Sequence, residues 1–564
     1  MKKTSTLYFA LLLGLMTSNA QGYQWSKSMG GTNDDAGISI AVDGSGNVYT
    51  SGFFTGTVDF DPGARTSNLT SAGNNSDIYI SKLDAAGNFI WAKRLGGSSV
   101  EIGLSIAVDS FGNVYTAGSF MGTVDFDPGT GSSNLTSAGL FDIFISKLDS
   151  AGNFGWAKSM GGTNDDNGAS ISVDGSGNVY TTGYFHGNVD FDPGPGTSNL
   201  TSAGSIDIFI SKLDASGNFI WAKSMGGTGP DGTSSITVDG SGNIYTTGSF
   251  QGTVDFDPGV GTSNLITAGS NDIFISKLDA AGNFIWAKSM GGTTGQVGSS
   301  SITVDGSGNV YTTGNFQGTV DFDPGTGTSN LTSAGGTDIF ILRLDAAGNF
   351  SWAKSIGGSS IDHGASIALD GSGNVYTTGY FDGTVDFDPG AGTSNLTSAG
   401  SSDIFISKLD AAGNFGWAKS MGDTGIDRSN SIIMDKSGNV YTIGLFMGTV
   451  DFNPGAGTSN LTSAGSTDIF ISKLDVNPVG ILENSFGNTL MVYPNPTEGA
   501  MSIDLGTSYD EVIAIIRNPL GQAILKKSCA GSNLMQLNIP GKAGMYFIEV
   551  SSGDKRATLK VVKN

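Results

Sequence analysis

Short apolar runs recur along this chain, separated by polar turns of nearly constant composition. One unit shows the pattern: SITVD at Ser301 to Asp305, the turn Gly306-Ser307-Gly308, then NVYTTGNF at Asn309 to Phe316. A second pair follows, with DIFILRLD at Asp338 to Asp345, the turn Ala346-Ala347-Gly348-Asn349, and the run Phe350 to Ile356 around Trp352. Runs rich in β-branched and aromatic residues, bounded by Gly, Asn and Asp, predict strands. We label the four strands A to D, from innermost to outermost. Several are apolar at consecutive rather than alternate positions, which predicts strands covered on both faces by neighbouring sheets.

The unit repeats. The seven tryptophans, Trp25, Trp91, Trp156, Trp221, Trp286, Trp352 and Trp417, occupy one slot at intervals of 65 or 66 residues. A fixed period with four strands per unit is the signature of a propeller or an open array. Strand count separates the two. A D strand comes first, at Tyr23 to Met29, and the last unit supplies only A at Ser431 to Asp435, B at Asn439 to Phe446 and C at Asp468 to Asp475. One spare D at the start and one missing D at the end complete seven sheets if the N-terminal strand pairs with the last one. Closure would also protect the sheet edges. The expected fold is all-β: a seven-bladed β-propeller over residues 21–475, closed by its N-terminal strand, then a linker at 476–489 and a small β-sandwich at 490–564.

The N-terminus reads as a secretory signal peptide over residues 1–20, with Lys2 and Lys3, an apolar run from Leu7 to Met16 and small residues up to Ala20. No later run has the length of a membrane span. The formal net charge of −23 argues against nucleic acid and acidic membrane surfaces as partners. Cys529 is the only cysteine, so an intrachain disulfide and a thiolate metal site are both excluded.

Each unit exceeds the usual four-stranded blade by an insertion between B and C, GTVDFDPGTGTSNLTSAG at Gly318 to Gly335, expected to form a short hairpin. Its paired acids, Asp59 with Asp61 and Asp321 with Asp323, raise the question of calcium, which wants six to eight oxygens and a further acidic ligand downstream. None follows in the motif. Aspartates bonding their own turn backbone are the competing reading. The tryptophan slot is expected to pack between blades. The repeated lysines, such as Lys277 and Lys288, are expected to be solvated or paired with nearby Asp, and the Asn330-Leu331-Thr332 sequons to carry no chemistry. Catalysis needs an asymmetric set of groups, and the repeat offers few: two histidines, His186 and His363, and a single Glu, Glu101, between leader and linker.

Variation collects at one end of the sheets. The A-to-B and C-to-D turns barely change. The D-to-A loops read TNDDAG, SSVEIG, TNDDNG, TGPDGT, TTGQVG, SSIDHG and TGIDRS, and the residue opening the B-to-C connection is Thr55, Met121, His186, Gln251, Gln317, Asp382 or Met447. Surface loops are generally tolerant, but both sets of turns are surface loops. The variable rim is therefore the expected binding face, with His186, Gln251, Gln317, Asp382, His363 and Arg428 as its polar contacts.

Two stretches also carry a family resemblance. IAVDGSGNVYTSG at Ile40 to Gly52 and DIYISKLDAAGNFIW at Asp77 to Trp91 resemble the β-propeller repeats of secreted bacterial proteins, which share a fold and no common reaction. The segment from Leu490 resembles the C-terminal sorting domain of type IX secretion, through Tyr493-Pro494-Asn495-Pro496, Gly521, Gly544-Met545-Tyr546 and Lys560-Val561-Val562-Lys563. It departs from that pattern at Arg517-Asn518-Pro519, where an acidic residue is expected before the turn. The resemblance implies handling by the type IX machinery and a secreted or outer-surface location. The resulting expectation is a binding or scaffold module for an extracellular glycan or protein, without a cofactor. An enzyme acting on extracellular polysaccharide and a purely structural surface component are the alternatives.

Overall fold

In the computed structural model, residues 22–73, 75–476, 486, 490–495, 497–518, 522–553 and 555–563 are described. The expected signal peptide, the expected linker apart from Val476 and Phe486, and the segment 519–521 lie outside them. Every regular element among the described residues is a β-strand. The chain divides into two compact units, Met1–Val476 and Asn477–Asn564.

The turns explain the regularity of the first unit. In the A-to-B turn, Asp43 Oδ1 accepts the amides of Ser45 and Asn47, while Asn47 Nδ2 and the Tyr49 hydroxyl both donate to Oδ2. Gly46 takes a φ of +81°, where a side chain would be strained. Asp84, Gly87 and Asn88 build the C-to-D turn in the same way. Asp, Gly and Asn are each fixed by geometry, and so these three positions do not vary between the turns.

Strands pair antiparallel in the order A-B-C-D. In the first repeat these are Ala36–Val42, Val48–Phe54, Asp77–Leu83 and Phe89–Gly97. Every residue of that C strand is buried, as a strand covered on both faces requires. The core lies between successive sheets: one cluster joins Tyr49, Ile78, Ile80 and Trp91 to Ile106, Val114, Phe120 and Phe144 of the next repeat. Another joins Met29, Ile40, Val48 and Tyr79 to Tyr441, Ile443, Ile469 and Ile471 from the far end of the unit. The N-terminal strand Gly22–Met29 pairs with Asp468–Asp475, from Gly22 opposite Asp475 to Met29 opposite Ile469.

The insertion is a hairpin, and it does more than fill space. Thr123–Asp125 pairs with Asn134–Thr136, and the same strand bridges back to the preceding D strand through Val124–Gly97 and Asp125–Gly96. Its Phe is an anchor, with the Phe60 ring 5.4 Å from Phe54 and 4.9 Å from Tyr79.

The tryptophans pack between repeats. Trp91 is edge-on to Tyr49 with centroids 6.4 Å apart, and its Nε1 donates to the Ser150 carbonyl in the next C-to-D turn at 3.3 Å. The C-strand lysines depart from the solvated or Asp-paired state expected of them. Lys82 is buried, with Nζ 4.9 Å from the Tyr49 ring centre and donating to the same Ser150 carbonyl. Lys277 sits likewise over Tyr245. The aromatic face and the neighbouring turn carbonyl together hold the ammonium where no carboxylate is needed.

In the second unit, a three-stranded sheet of Met491–Tyr493, Ala500–Tyr509 and Ser532–Asn538 accompanies a four-stranded one. The latter runs Ala523–Cys529, Val512–Arg517, Gly544–Ser552 and Lys555–Lys563. They share one core containing Ile503, Leu505, Ile516, Leu537, Ile548 and Val561. Arg517 forms a two-pronged ion pair with Glu549, at 2.7 and 3.0 Å.

Candidate functional site

A buried acid organises six of the seven variable loops: Asp35, Glu101, Asp166, Asp231, Asp362 and Asp427. In the sixth repeat, Asp362 Oδ2 accepts the Gly358 amide at 2.8 Å, its Oδ1 accepts the Asp382 amide at 3.2 Å, and its own amide donates to Thr337 O at 2.8 Å. Asp35, Asp166, Asp231 and Asp427 make the equivalent pair of carboxylate contacts. Loop ends are thereby pinned from beneath, and the neighbouring side chains are free to differ. Burial pushes Asp362 up to about 6.

On that scaffold three of the sequence-predicted residues come together. His363 stands opposite Tyr380 across the A–B pair, with the rings stacked at 5.2 Å and an interplanar angle of 4°. Arg428, opening the next A strand, places its guanidinium 4.3 Å from the Tyr380 ring centre and donates from Nε to Ser402 Oγ at 3.2 Å. Asp382, paired with Ser402, feels the Arg428 charge. Burial, with the Arg428 charge second, lowers the His363 pKa and keeps the imidazole neutral. Two buried polar atoms here have no protein partner: His363 Nδ1 and Asp382 Oδ1. Buried polar atoms are nearly always satisfied in folded proteins, so these two are candidates for a water or ligand partner.

The other predicted residues lie at the matching position of other repeats and do not join the cluster. His186 is held by its amide to Asp166 Oδ1 and by its carbonyl to Asn164 Nδ2. Gln251 is anchored through its amide to Asp231. Gln317 pairs with Gln296, and both are exposed. Near them a cleft of about 310 Å³ is lined by amides and hydroxyls, among them Asn271, Gln296, Asn315 and Thr337. Here Val297 occupies the position of the pinning acid, and Asn271 Nδ2 donates to its carbonyl.

Sequence reasoning missed Tyr380, Ser402 and Asn315. A signal existed, because the B-strand position of Tyr380 reads Phe53, Ser119, Tyr184, Ser249, Asn315, Tyr380 and Leu445 around the repeats. Variation there matches that of the loops.

The calcium candidates are engaged with their own turns. Asp59 Oδ1 accepts the amides of Asp61 and Ser67, and Asp61 Oδ1 accepts Gly63; Asp321 and Asp323 repeat this with Asp323, Ser329 and Gly325. Among the described residues, no three His, Cys, Asp or Glu side chains gather as a metal cluster. A second, outward cleft of about 540 Å³ lies between two insertions and a D strand, beside Lys93, Asp125 and Asp127.

Comparison with known proteins defines both parts of the chain. Residues 491–564 match the secretion system C-terminal sorting domain, and residues 90–119 and 155–189 match the β-propeller repeat. The repeats are thus β-propeller repeats and the C-terminal segment is a type IX sorting domain, which marks the protein for export from the cell. An uncharacterised WD repeat-containing protein of Acanthamoeba polyphaga mimivirus is 26% identical over 75% of this chain and 36% of its own length. The regulatory protein FlaEY of Caulobacter vibrioides is 24% identical over 95% of this chain and 56% of its own. The chain therefore spans between about a third and just over half of these relatives. A structural genomics protein of unknown function from Bacteroides thetaiotaomicron aligns over 78% of this chain and 100% of its own, at 10% identity and a TM-score of 0.25, which carries no argument.

Proposed function

We propose that this protein is an exported, seven-bladed, closed propeller that binds a hydroxyl-rich extracellular ligand, a glycan or a protein surface bearing one, on its variable rim. Closure is supported by the pairing of Gly22–Met29 with Asp468–Asp475, by the bond from Asn430 Nδ2 to Gly37 O at 2.8 Å, and by the bridge between Gly30 and Asp59. The observation that carries the binding reading is the group His363, Tyr380, Asp382 and Arg428. It breaks the repeat, it sits where variation collects, and it holds two buried polar atoms with no partner in the chain. A neutral imidazole and a carboxylate beside a guanidinium can donate and accept at once, as sugar hydroxyls require.

The reading is of binding rather than catalysis, and of release from the cell or retention at its outer surface after handling by the type IX machinery. A glycan array probed with the purified exported form tests it. Binding that is abolished by alanine at His363 and Asp382 together is the expected result. Binding that survives this change, and is lost instead on altering the Gly306-Ser307-Gly308 face, would overturn the assignment.

A further inference from the structure

At the junction of the fourth and fifth repeats, the rim has lost the groups that fill it one repeat further on. Gly298 stands opposite Asn315 across the A–B pair, where the sixth repeat sets His363 opposite Tyr380. Thr337, just before its C strand, takes the place of Ser402. A methyl group on Gly298 would meet only Asn315 Oδ1, at an ordinary 3.7 Å, so the room that an imidazole occupies in the next repeat is open here. The result is the cleft of about 310 Å³, with Asn271, Gln296, Asn315 and Thr337 in its lining. That volume lies at the lower end of the roughly 300 to 1,000 Å³ of ligand pockets, which suits a single sugar ring.

The chemistry of the cleft also sets it apart. No other repeat has a carboxamide at the position of Asn271 or of Asn315. None of the lining residues is ionisable. The Val297 carbonyl accepts Asn271 Nδ2 at 3.3 Å, which leaves Asn271 Oδ1 as an acceptor. Thr337 Oγ1 is buried with no hydrogen-bond partner among the described residues, a position that water or a ligand hydroxyl completes. Each carboxamide and each hydroxyl both donates and accepts, as neighbouring sugar hydroxyls do in return. With no cation in the lining and a net charge of −23 on the chain, the cleft disfavours acidic sugars.

The cleft also adjoins the rim cluster. The Thr337 carbonyl accepts the amide of Asp362 at 2.8 Å, and the next residue is His363.

We propose that this cleft is a subsite for one uncharged sugar unit of a glycan that lies along the rim, beside the unit held by the His363 group. The subsite rests on the reading of the rim as a binding face, and it adds the class of ligand, a neutral rather than an acidic glycan. Two neighbouring subsites on one rigid ring raise each other's effective concentration of ligand, so an oligomer should bind tighter than the single sugar.

The test uses the full exported chain on an array of neutral, uronic-acid and sulfated glycans, followed by calorimetry with the neutral oligomer that binds. Gly298→His copies the sixth repeat at the matching position, so it should fill the cleft, keep the melting temperature of the parent and abolish binding. Asn315→Ser, which copies Ser119 and Ser249, and Thr337→Val, which removes only the orphaned hydroxyl, should each weaken binding about two- to tenfold, the worth of one neutral hydrogen bond. Normal affinity in Gly298→His, with loss when His363 and Asp382 are both changed to alanine, would reject the subsite and leave the rim cluster standing. The opposite pattern would keep the subsite and reject the cluster. Parental affinity in both Asn315→Ser and Thr337→Val would show a cleft that holds only water and reject the subsite. An array on which no neutral glycan binds would reject it as well.

Discussion

The amide of Asp35 donates to the carbonyl of Thr467 at 2.8 Å, and the same bond joins Asp166 to Phe141, Asp231 to Ile206, and Asp362 to Thr337. First and last repeats are held by the contact that holds neighbours in sequence. Trp25 adds to it, donating from Nε1 to Ala85 at 3.3 Å while standing edge-on to Tyr441 at 6.2 Å.

Removal of Gly22–Met29 should therefore bare the edge of Asp468–Asp475 and strip Trp25 from the turn at Ala85. An exposed strand edge invites pairing with another chain. Light scattering should detect aggregation, and melting should come at lower temperature. A truncated protein that stays monomeric and melts with the parent would count against ring closure.

Trp91 is 9% exposed and lies between two repeats. Its replacement by Ala removes a large buried ring and a hydrogen bond to Ser150, at a cost of ~3 to 5 kcal/mol. Chemical denaturation should show this as a lower midpoint with glycan binding retained. A stable variant that has lost binding would make the tryptophan slot a contact surface instead.

Gly226 sits under the Asp207 carboxylate, which the Ala203 amide holds in place at 2.9 Å. Gly226→Ala should destabilise by about 1 to 3 kcal/mol through overpacking. Asp207→Gly alone should also cost stability, yet the double variant should cost less than the sum, because the clash is gone. Additive effects would refute the cradle.

The pH dependence follows from the same acids. Asp35, near Asp34 and Asp468, is raised by burial to about 7, and Glu101, near Asp77 and Arg94, to about 8. The native state then holds protons more tightly than the unfolded chain. This contribution is fully present below the unfolded carboxylate value of about 4 and is lost as pH rises toward 7 or 8. The turn aspartates act oppositely. Desolvation raises Asp43 and Asp174, but their turn hydrogen bonds outweigh it and lower both pKa values, so their contribution is lost as pH falls below about 4. The melting temperature should be highest near pH ~4 and fall as pH rises toward about 8. A melting temperature that climbs steadily from pH 4 to about 8 would contradict the sign.

Much of this was legible in the chain because the turns are chemically overdetermined. Asp43, Gly46 and Asn47 each have one geometric job, so their recurrence announced the strands between them. The rim as a variable surface was visible too, with His363, Asp382 and Arg428 among its residues. The partners of those residues were hidden: Arg428 reaches Tyr380 in the preceding repeat, and no periodicity encodes a contact across the junction. For the C-strand lysines the solvated or Asp-paired reading failed for a related reason, whereas Lys288 of the D strand does lie near an aspartate, Asp345. Lys82 looks solvated when only its own strand is considered, but the carbonyl that holds it, Ser150, belongs to the next repeat.

The rim cluster gives the most direct test of where binding resides. The Asp382 amide, not its side chain, is what Asp362 holds, so Asp382→Asn leaves the loop pinned and changes only the group whose Oδ1 lacks a partner. His363→Ala removes the other orphan and the stack on Tyr380. Each change should weaken a ligand found on the array by about 1 to 3 kcal/mol, roughly 5- to 150-fold in Kd, with the melting temperature held near that of the parent. Arg428→Leu copies the apolar character that Leu445 gives the paired B strand, and should weaken binding while releasing the Ser402 hydroxyl. Ser307→Ala, on the face whose turns barely change, serves as the control and should leave affinity unchanged. Loss of affinity in the control, with the three rim variants binding normally, would move the site to the opposite end of the sheets.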